Sequence, residues 1–107
     1  MELKISRDYS KMPGGRYRKD GSYSGEDFRE KHLIPLYERA KESGEILIVN
    51  FDGGYGYATS FLEEAFGGLV RSLGDRSILS HLEFVSDDDS NTIVKVIAYI
   101  KGAIGDL

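Results

Sequence analysis

Apolar and polar positions alternate with two different periods along this chain, so strands and helices follow one another. Leu3-Lys4-Ile5-Ser6 alternates residue by residue, as a strand with one face on a core does. Ile46-Leu47-Ile48-Val49-Asn50-Phe51 is almost continuously apolar, which predicts a central strand covered on both faces. Leu82-Glu83-Phe84-Val85 reads as a further strand. Between these, Phe61, Ala65, Leu69 and Leu73 fall on one helical row and Leu62, Phe66 and Val70 on the next, predicting a helix from Thr59-Ser60 to a stop at Gly74. An earlier helix is expected after Ser24, whose hydroxyl can cap a first turn holding Glu26 and Asp27; Phe28, Leu33, Leu36, Tyr37 and Ala40 are its apolar members. Pro35 breaks that pattern and predicts a kink, or two short helices with the proline in the first turn of the second, before Gly44 ends the element. From Ile93 to Ile104 the β-branched residues favour strand, but the length and the spacing of Ile93, Ile97, Ile100 and Ile104 favour a helix, and a helix is expected.

The stretch from Met12 to Gly21 is rich in turn residues, carries an Asp-Gly hairpin signal, and leaves room for a short strand around Arg16-Tyr17-Arg18. Strand and helix alternation over 107 residues predicts one α/β domain, a mixed sheet of about four strands covered by about three helices. Gly67-Gly68 inside a helix costs roughly 1 kcal/mol per residue against alanine, which points to close backbone approach by a strand or by another chain and leaves a homo-oligomer open.

Composition narrows the function classes. No apolar run approaches a bilayer span, and Met1-Glu2-Leu3-Lys4-Ile5 lacks the apolar core of a secretion signal, so a soluble, cytoplasmic protein is expected. Without cysteine there are no disulfides, no thiolate nucleophile and no cysteine-bound zinc. A formal charge of −4 argues against nucleic acid as the main partner. His32 and His81 are far apart and match no zinc-protease spacing. Asp87-Asp88-Asp89 lacks the alternation, glycine and distal glutamate of a calcium loop, so helix capping explains it and neither metal nor cofactor is expected. With no nucleophile and base brought together by spacing, the chain does not read as an enzyme.

Two places suit binding. Thr59 and Ser60 stand where a helix leaves the central strand; there, unpaired N–H groups and the positive end of the helix dipole favour a phosphate added to either hydroxyl. The plainer assignment is capping, with Ser60 and Glu63 forming a capping box. Tyr55 and Tyr57 either flank Thr59 as a recognition surface, together with Phe61, Glu63 and Glu64, or alternate into the core. Gly14-Gly15-Arg16, with Arg18 and Arg29, forms a candidate cradle for an anionic ligand, with a structural turn as the alternative, and Arg29 has the further option of pairing with an acidic neighbour.

The run Asn50-Phe51-Asp52-Gly53-Gly54-Tyr55-Gly56-Tyr57-Ala58-Thr59-Ser60-Phe61-Leu62 resembles the strand, loop and helix that carry the phosphoacceptor in STAS domains, the sulfate transporter and anti-sigma-factor antagonist superfamily. Pro13-Gly14-Gly15-Arg16, Ser24 to Glu30 and Ser60 to Leu69 are similar, more closely, to the small bacterial STAS-like domains of unknown function. The resemblance implies the STAS-like fold. By analogy it implies a regulatory protein that binds a kinase related to histidine-kinase ATPases, or another serine/threonine kinase, and exchanges partners on phosphorylation. Thr59 occupies the matching acceptor position, and the chain departs from the antagonist pattern at Ala58 and Phe61.

Overall fold

In the computed structural model, which describes all 107 residues, three strands carry the alternation: β1 (Glu2–Lys4), β2 (Leu47–Asn50) and β3 (Leu82–Val85). They lie in the order β1-β2-β3 with both pairs parallel, Leu3 level with Val49 and Val49 level with Phe84. Residues level with one another share a face. Leu3, Leu47, Val49, Leu82 and Phe84 therefore look one way, and Glu2, Lys4, Ile48, Asn50 and Glu83 the other. The expected mixed, four-stranded sheet is thus a wholly parallel, three-stranded one. Both crossovers step in the same direction across it, and right-handed connections of that kind put their helices on a single face. That is why Leu47 and Val49 are buried while Ile48 and Asn50 are only half-buried, against the expectation of a central strand covered on both sides.

The strand expected around Arg16-Tyr17-Arg18 does not form. Arg18–Asp20 makes one 3₁₀ turn, held by the Tyr17 N–H donating to Asp20 Oδ2 (3.0 Å). A single helical turn, α1 (Ile5–Asp8), follows β1 directly and ends the strand two residues earlier than the alternation suggests. Three longer helices make the second layer: α2 (residues 25–42), α3 (residues 59–73) and α4 (Asn91–Gly105). None is long and apolar enough to cross a membrane.

Helix α2 starts as expected, with Ser24 Oγ accepting from the Asp27 N–H (3.1 Å). As the proline predicts, the α-geometry is interrupted: Arg29–Leu33 form a π-helical turn, and a second α-helical stretch, Ile34–Glu42, begins with Pro35 in its first turn. The wider π turn accommodates a ring that cannot donate a backbone hydrogen bond. Helix α3 holds a second π turn, Glu63–Gly67, and packs against α2 there. Phe61, Leu62, Ala65, Phe66, Leu69 and Val70 are buried as the two apolar rows require. Helix α4 settles the ambiguous segment as helix. Its buried row is Thr92, Val96, Ile100 and Ala103, one step round from the isoleucine row the spacing suggested.

At the far end of α2, Asp75 ties two elements together. Its Oδ2 accepts from Tyr37 Oη and Lys41 Nζ (both 2.7 Å), and its Oδ1 accepts from the Ser77 N–H and hydroxyl (2.8 and 2.6 Å). Burial works against the charge, but the donors Lys41, Ser77 and Tyr37 outweigh it and hold this carboxyl well below the usual aspartate range. A depressed folded-state pKa stabilises above the unfolded value and is lost as pH falls through the folded one. Asp75→Asn is therefore expected to cost about 1.5–3 kcal/mol at neutral pH in urea titrations. The gap to wild type should close as pH falls below about 4, where unfolded aspartate protonates.

Candidate functional site

The carboxyl ends of parallel strands are where loops and helix starts converge, and here they gather the 51–58 loop, the start of α3, the 86–90 loop and the start of α4. Thr59 is the first residue of α3 and is exposed; Ser60 is half-buried. The N-cap is Ala58, which has no side chain to offer, and the first backbone hydrogen bond runs from the Leu62 N–H to the Ala58 carbonyl (3.1 Å). The N–H groups of Thr59, Ser60 and Phe61 are thereby left without an intrahelical or side-chain acceptor. No Ser60–Glu63 capping box forms, because the helix begins two residues too early for it. Glu63 turns instead to Arg16 (2.7 Å) and Arg71 (2.8 Å).

The residues expected to flank Thr59 divide between surface and core. Tyr55 is 78% exposed. Tyr57 is half-buried; its hydroxyl donates to the Phe51 carbonyl (2.7 Å) and its ring lies against Phe51 and Phe61. Burial, with the charges of Asp52 and Asp88 adding to it, pushes this phenol up to about 12. Phe61 is fully buried beside Phe28, as its place in the apolar row of α3 demands, and cannot belong to a partner surface. Glu64 is also withdrawn from that surface, drawn inward by Arg29.

The glycine and arginine loop proves to be structural. The N–H groups of Gly25 and Glu26, which open α2, donate to the Gly15 and Arg16 carbonyls (3.0 Å each), so backbone already occupies the position an anion would take. Arg16 donates to Glu63 and Glu64, Arg18 to Asp27 (3.0 Å) and Glu30 (3.1 Å), and Arg29 to the Glu64 carboxylate and carbonyl. Hydrogen bonding to Glu63 raises the Arg16 guanidinium, and hydrogen bonding from Arg71 lowers Glu63. Arg16 and Arg29 do meet, but on a shared carboxylate, and Arg18 points elsewhere. Gly14 donates its N–H to the Tyr23 carbonyl (3.0 Å) and cradles nothing.

The acidic run serves the loops. Asp88 Oδ2 accepts from the Gly53 N–H (3.0 Å), the Asp88 N–H donates to Asp52 Oδ1 (2.9 Å), and Asp89 Oδ1 accepts from the Asn91 N–H (3.0 Å). No cluster of three or more histidine or carboxylate side chains is arranged for a metal ion. His32 packs against Tyr9 and Phe28, and His81 against Tyr37. Between the 51–58 loop and α4 lies a cavity of about 240 Å³ over Phe51, Tyr57 and Leu62, with Ser86, Thr92 and Lys95 on its other wall. Sequence reasoning missed it. The only signal was that Ser86 follows a strand and Thr92 lies in the first turn of a helix.

No curated protein and no solved structure shows significant similarity to the chain. A family model described as a STAS-like domain of unknown function matches residues 24–92, a span running from the cap of α2 through α3 and β3 to the first turn of α4. With most of its length, and the elements that build this edge, inside that match, the chain belongs to the STAS-like domain family.

Proposed function

We propose that this domain is a non-enzymatic, cytoplasmic regulatory module that binds another protein through the edge around Tyr55 and Thr59, and that phosphorylation of Thr59, or secondarily Ser60, switches that binding. The observation that carries this reading is the open first turn of α3: an exposed hydroxyl on the first helical residue, with three uncapped N–H groups and no competing side-chain cap. A phosphoryl group there gains the helix dipole and backbone donors, and places close to two further negative charges beside Tyr55. Tyr55 and the exposed part of Glu63 then form the partner surface, without Phe61 and Glu64. By the likeness to anti-sigma-factor antagonists, the proposed partner class is a histidine-kinase-like ATPase or a serine/threonine kinase.

The test is a binding titration against ATPase and kinase proteins encoded beside this one, using wild type, Thr59→Glu, Thr59→Ala and Ser60→Glu. Thr59→Glu is expected to change affinity by at least about tenfold, or 1.4 kcal/mol, while Thr59→Ala stays near wild type. Equal affinities throughout would remove the switch.

A further inference from the structure

We propose that the free edge of β3, with the flank of α4 that carries Ile93 and Ile97, binds a second copy of this chain, the two β3 strands running antiparallel about a two-fold axis at Phe84. Thr59 opens α3 and is no part of this surface, so the inference stands apart from the switch.

Strand β3 has one neighbour, β2. The Phe51 N–H donates to the Val85 carbonyl (2.8 Å), and the backbone groups of alternate residues in a strand point to opposite sides. Glu83 and Val85 therefore bond towards β2, while Leu82 and Phe84 present their N–H and C=O groups at the free edge. The other edge of the sheet is guarded: the Lys4 N–H donates to Asp8 Oδ2 (2.9 Å), and β1 gives way to a helical turn after three residues. The backbone of β3 has no such cover, and an unpaired strand edge is a template for another strand.

Helix α4 adds an apolar flank along that edge. It packs on α3, which packs in turn on α2, so α4 is the outermost helix on the β3 side. Its Thr92 and Lys95 look across the cavity to Leu62 of α3 and the 51–58 loop. Ile93 and Ile97 each stand two residues from Lys95, about 160° round the helix and so on the flank turned away from α3. Both are only half-buried and, unlike Ile104, do not pack on the core; Val94 beside them is 66% exposed. Lys95 and Lys101 are the only charged residues among the 15 of α4, so this helix is apolar well beyond its buried row.

A second copy covers edge and flank together. With the axis perpendicular to the sheet, both helix layers lie on one side and each α4 runs beside its counterpart, an isologous contact. Two registers are open to the strands. One sets Glu83 directly opposite the partner's Glu83, and like charges so placed destabilise. The other lets Phe84 exchange both backbone hydrogen bonds with the partner's Phe84 and sets Glu83 opposite the partner's Val85. In that register the slow rise of a helix against a strand leaves only about the first two turns of the α4 helices side by side, the stretch that holds Ile93, Val94 and Ile97. Lys101 then comes level with the partner's 86–90 loop. Asp88 and Asp89 of that loop accept backbone hydrogen bonds, which leaves the exposed Asp87 as the partner for the exposed Lys101, twice per dimer. A four-residue ladder alone falls short of the roughly 1,200 Å² that specific dimers bury, so the pairing depends on the α4 flank as much as on the strand.

Sedimentation equilibrium of the full chain over about 5–500 µM tests the proposal, with a dimer dissociation constant below about 100 µM expected. Ile97→Lys should weaken the dimer at least about tenfold, and Lys101→Glu should weaken it at least about threefold, with Asp87→Lys restoring the affinity when combined with Lys101→Glu. Lys4→Gln, at the guarded edge, should leave it unchanged. Circular dichroism of the monomeric variants establishes that they are folded. A chain that stays monomeric throughout, which would leave the edge to an extended segment of another protein, overturns the proposal; so does a dimer indifferent to Ile97→Lys, or a loss in Lys101→Glu that Asp87→Lys does not restore.

Discussion

Replacing Glu64 with leucine is expected to lower the unfolding free energy by about 3–5 kcal/mol, the cost of leaving a buried charge without its partner. Arg29 is 8% exposed, as is Glu64, and the arginine also donates Nη1 to the Glu64 carbonyl (2.8 Å). Arg29 Nε has no partner even in the intact protein, and once the carboxylate is gone the guanidinium keeps only the residue-64 backbone carbonyl and the longer pair with the exposed Glu30 (3.7 Å). Against a total stability of roughly 5–15 kcal/mol, the loss should move the thermal midpoint by more than about 10 °C. Replacing both residues, Arg29→Met with Glu64→Leu, should recover most of it, since two apolar side chains can replace a desolvated ion pair almost neutrally. Calorimetry of the two single variants and the double one decides the matter: a double variant as unstable as the sum of the singles would mean that the pair is not what holds α2 to α3.

This cluster also marks where the sequence stopped being informative. Periodicity is a local signal, and it located β2, β3, the three longer helices, the Ser24 cap and the start of α3 at Thr59. What joins Arg16 to Glu63 spans 47 residues, and Arg29 to Glu64 spans 35; no local pattern specifies which carboxylate a guanidinium will meet. An apolar run such as Ile46 to Phe51 reads the same whether one face of its strand is covered or both, so the single helical layer emerged only with the strand order. Phe61 was legible as core through its helical row, and proximity to Thr59 misplaced it on the surface. The cavity required Phe51, Leu62 and Thr92 to come together from three separate segments.

Alanine substitutions at helical glycines are expected to have opposite signs in the two places this packing distinguishes. Glycine inside a helix costs roughly 1 kcal/mol relative to alanine, so an unobstructed replacement stabilises. Gly102 in α4 is exposed with nothing within 4 Å of where a Cβ would stand, and Gly102→Ala should raise stability by about 0.5–1 kcal/mol. A Cβ on Gly25 would lie 2.6 Å from the Phe61 carbonyl oxygen and 3.2 Å from the Ala65 nitrogen, both backbone atoms of α3 that cannot rotate away. A Cβ on Gly68 would strike the Arg29 guanidinium, which Glu64 holds in place, so Gly68 answers to a side chain of α2, whereas a Cβ on Gly67 would meet Glu63 and Arg71 of α3 itself. Gly25→Ala and Gly68→Ala are therefore expected to destabilise by about 1–3 kcal/mol in urea titrations, the usual cost of overpacking. Gly25→Ala acts two residues from Thr59, on the backbone that sets where α3 begins. If the open first turn is the partner site, this variant should weaken partner binding beyond what its folded fraction explains, whereas Gly68→Ala, nine residues from Thr59, should not.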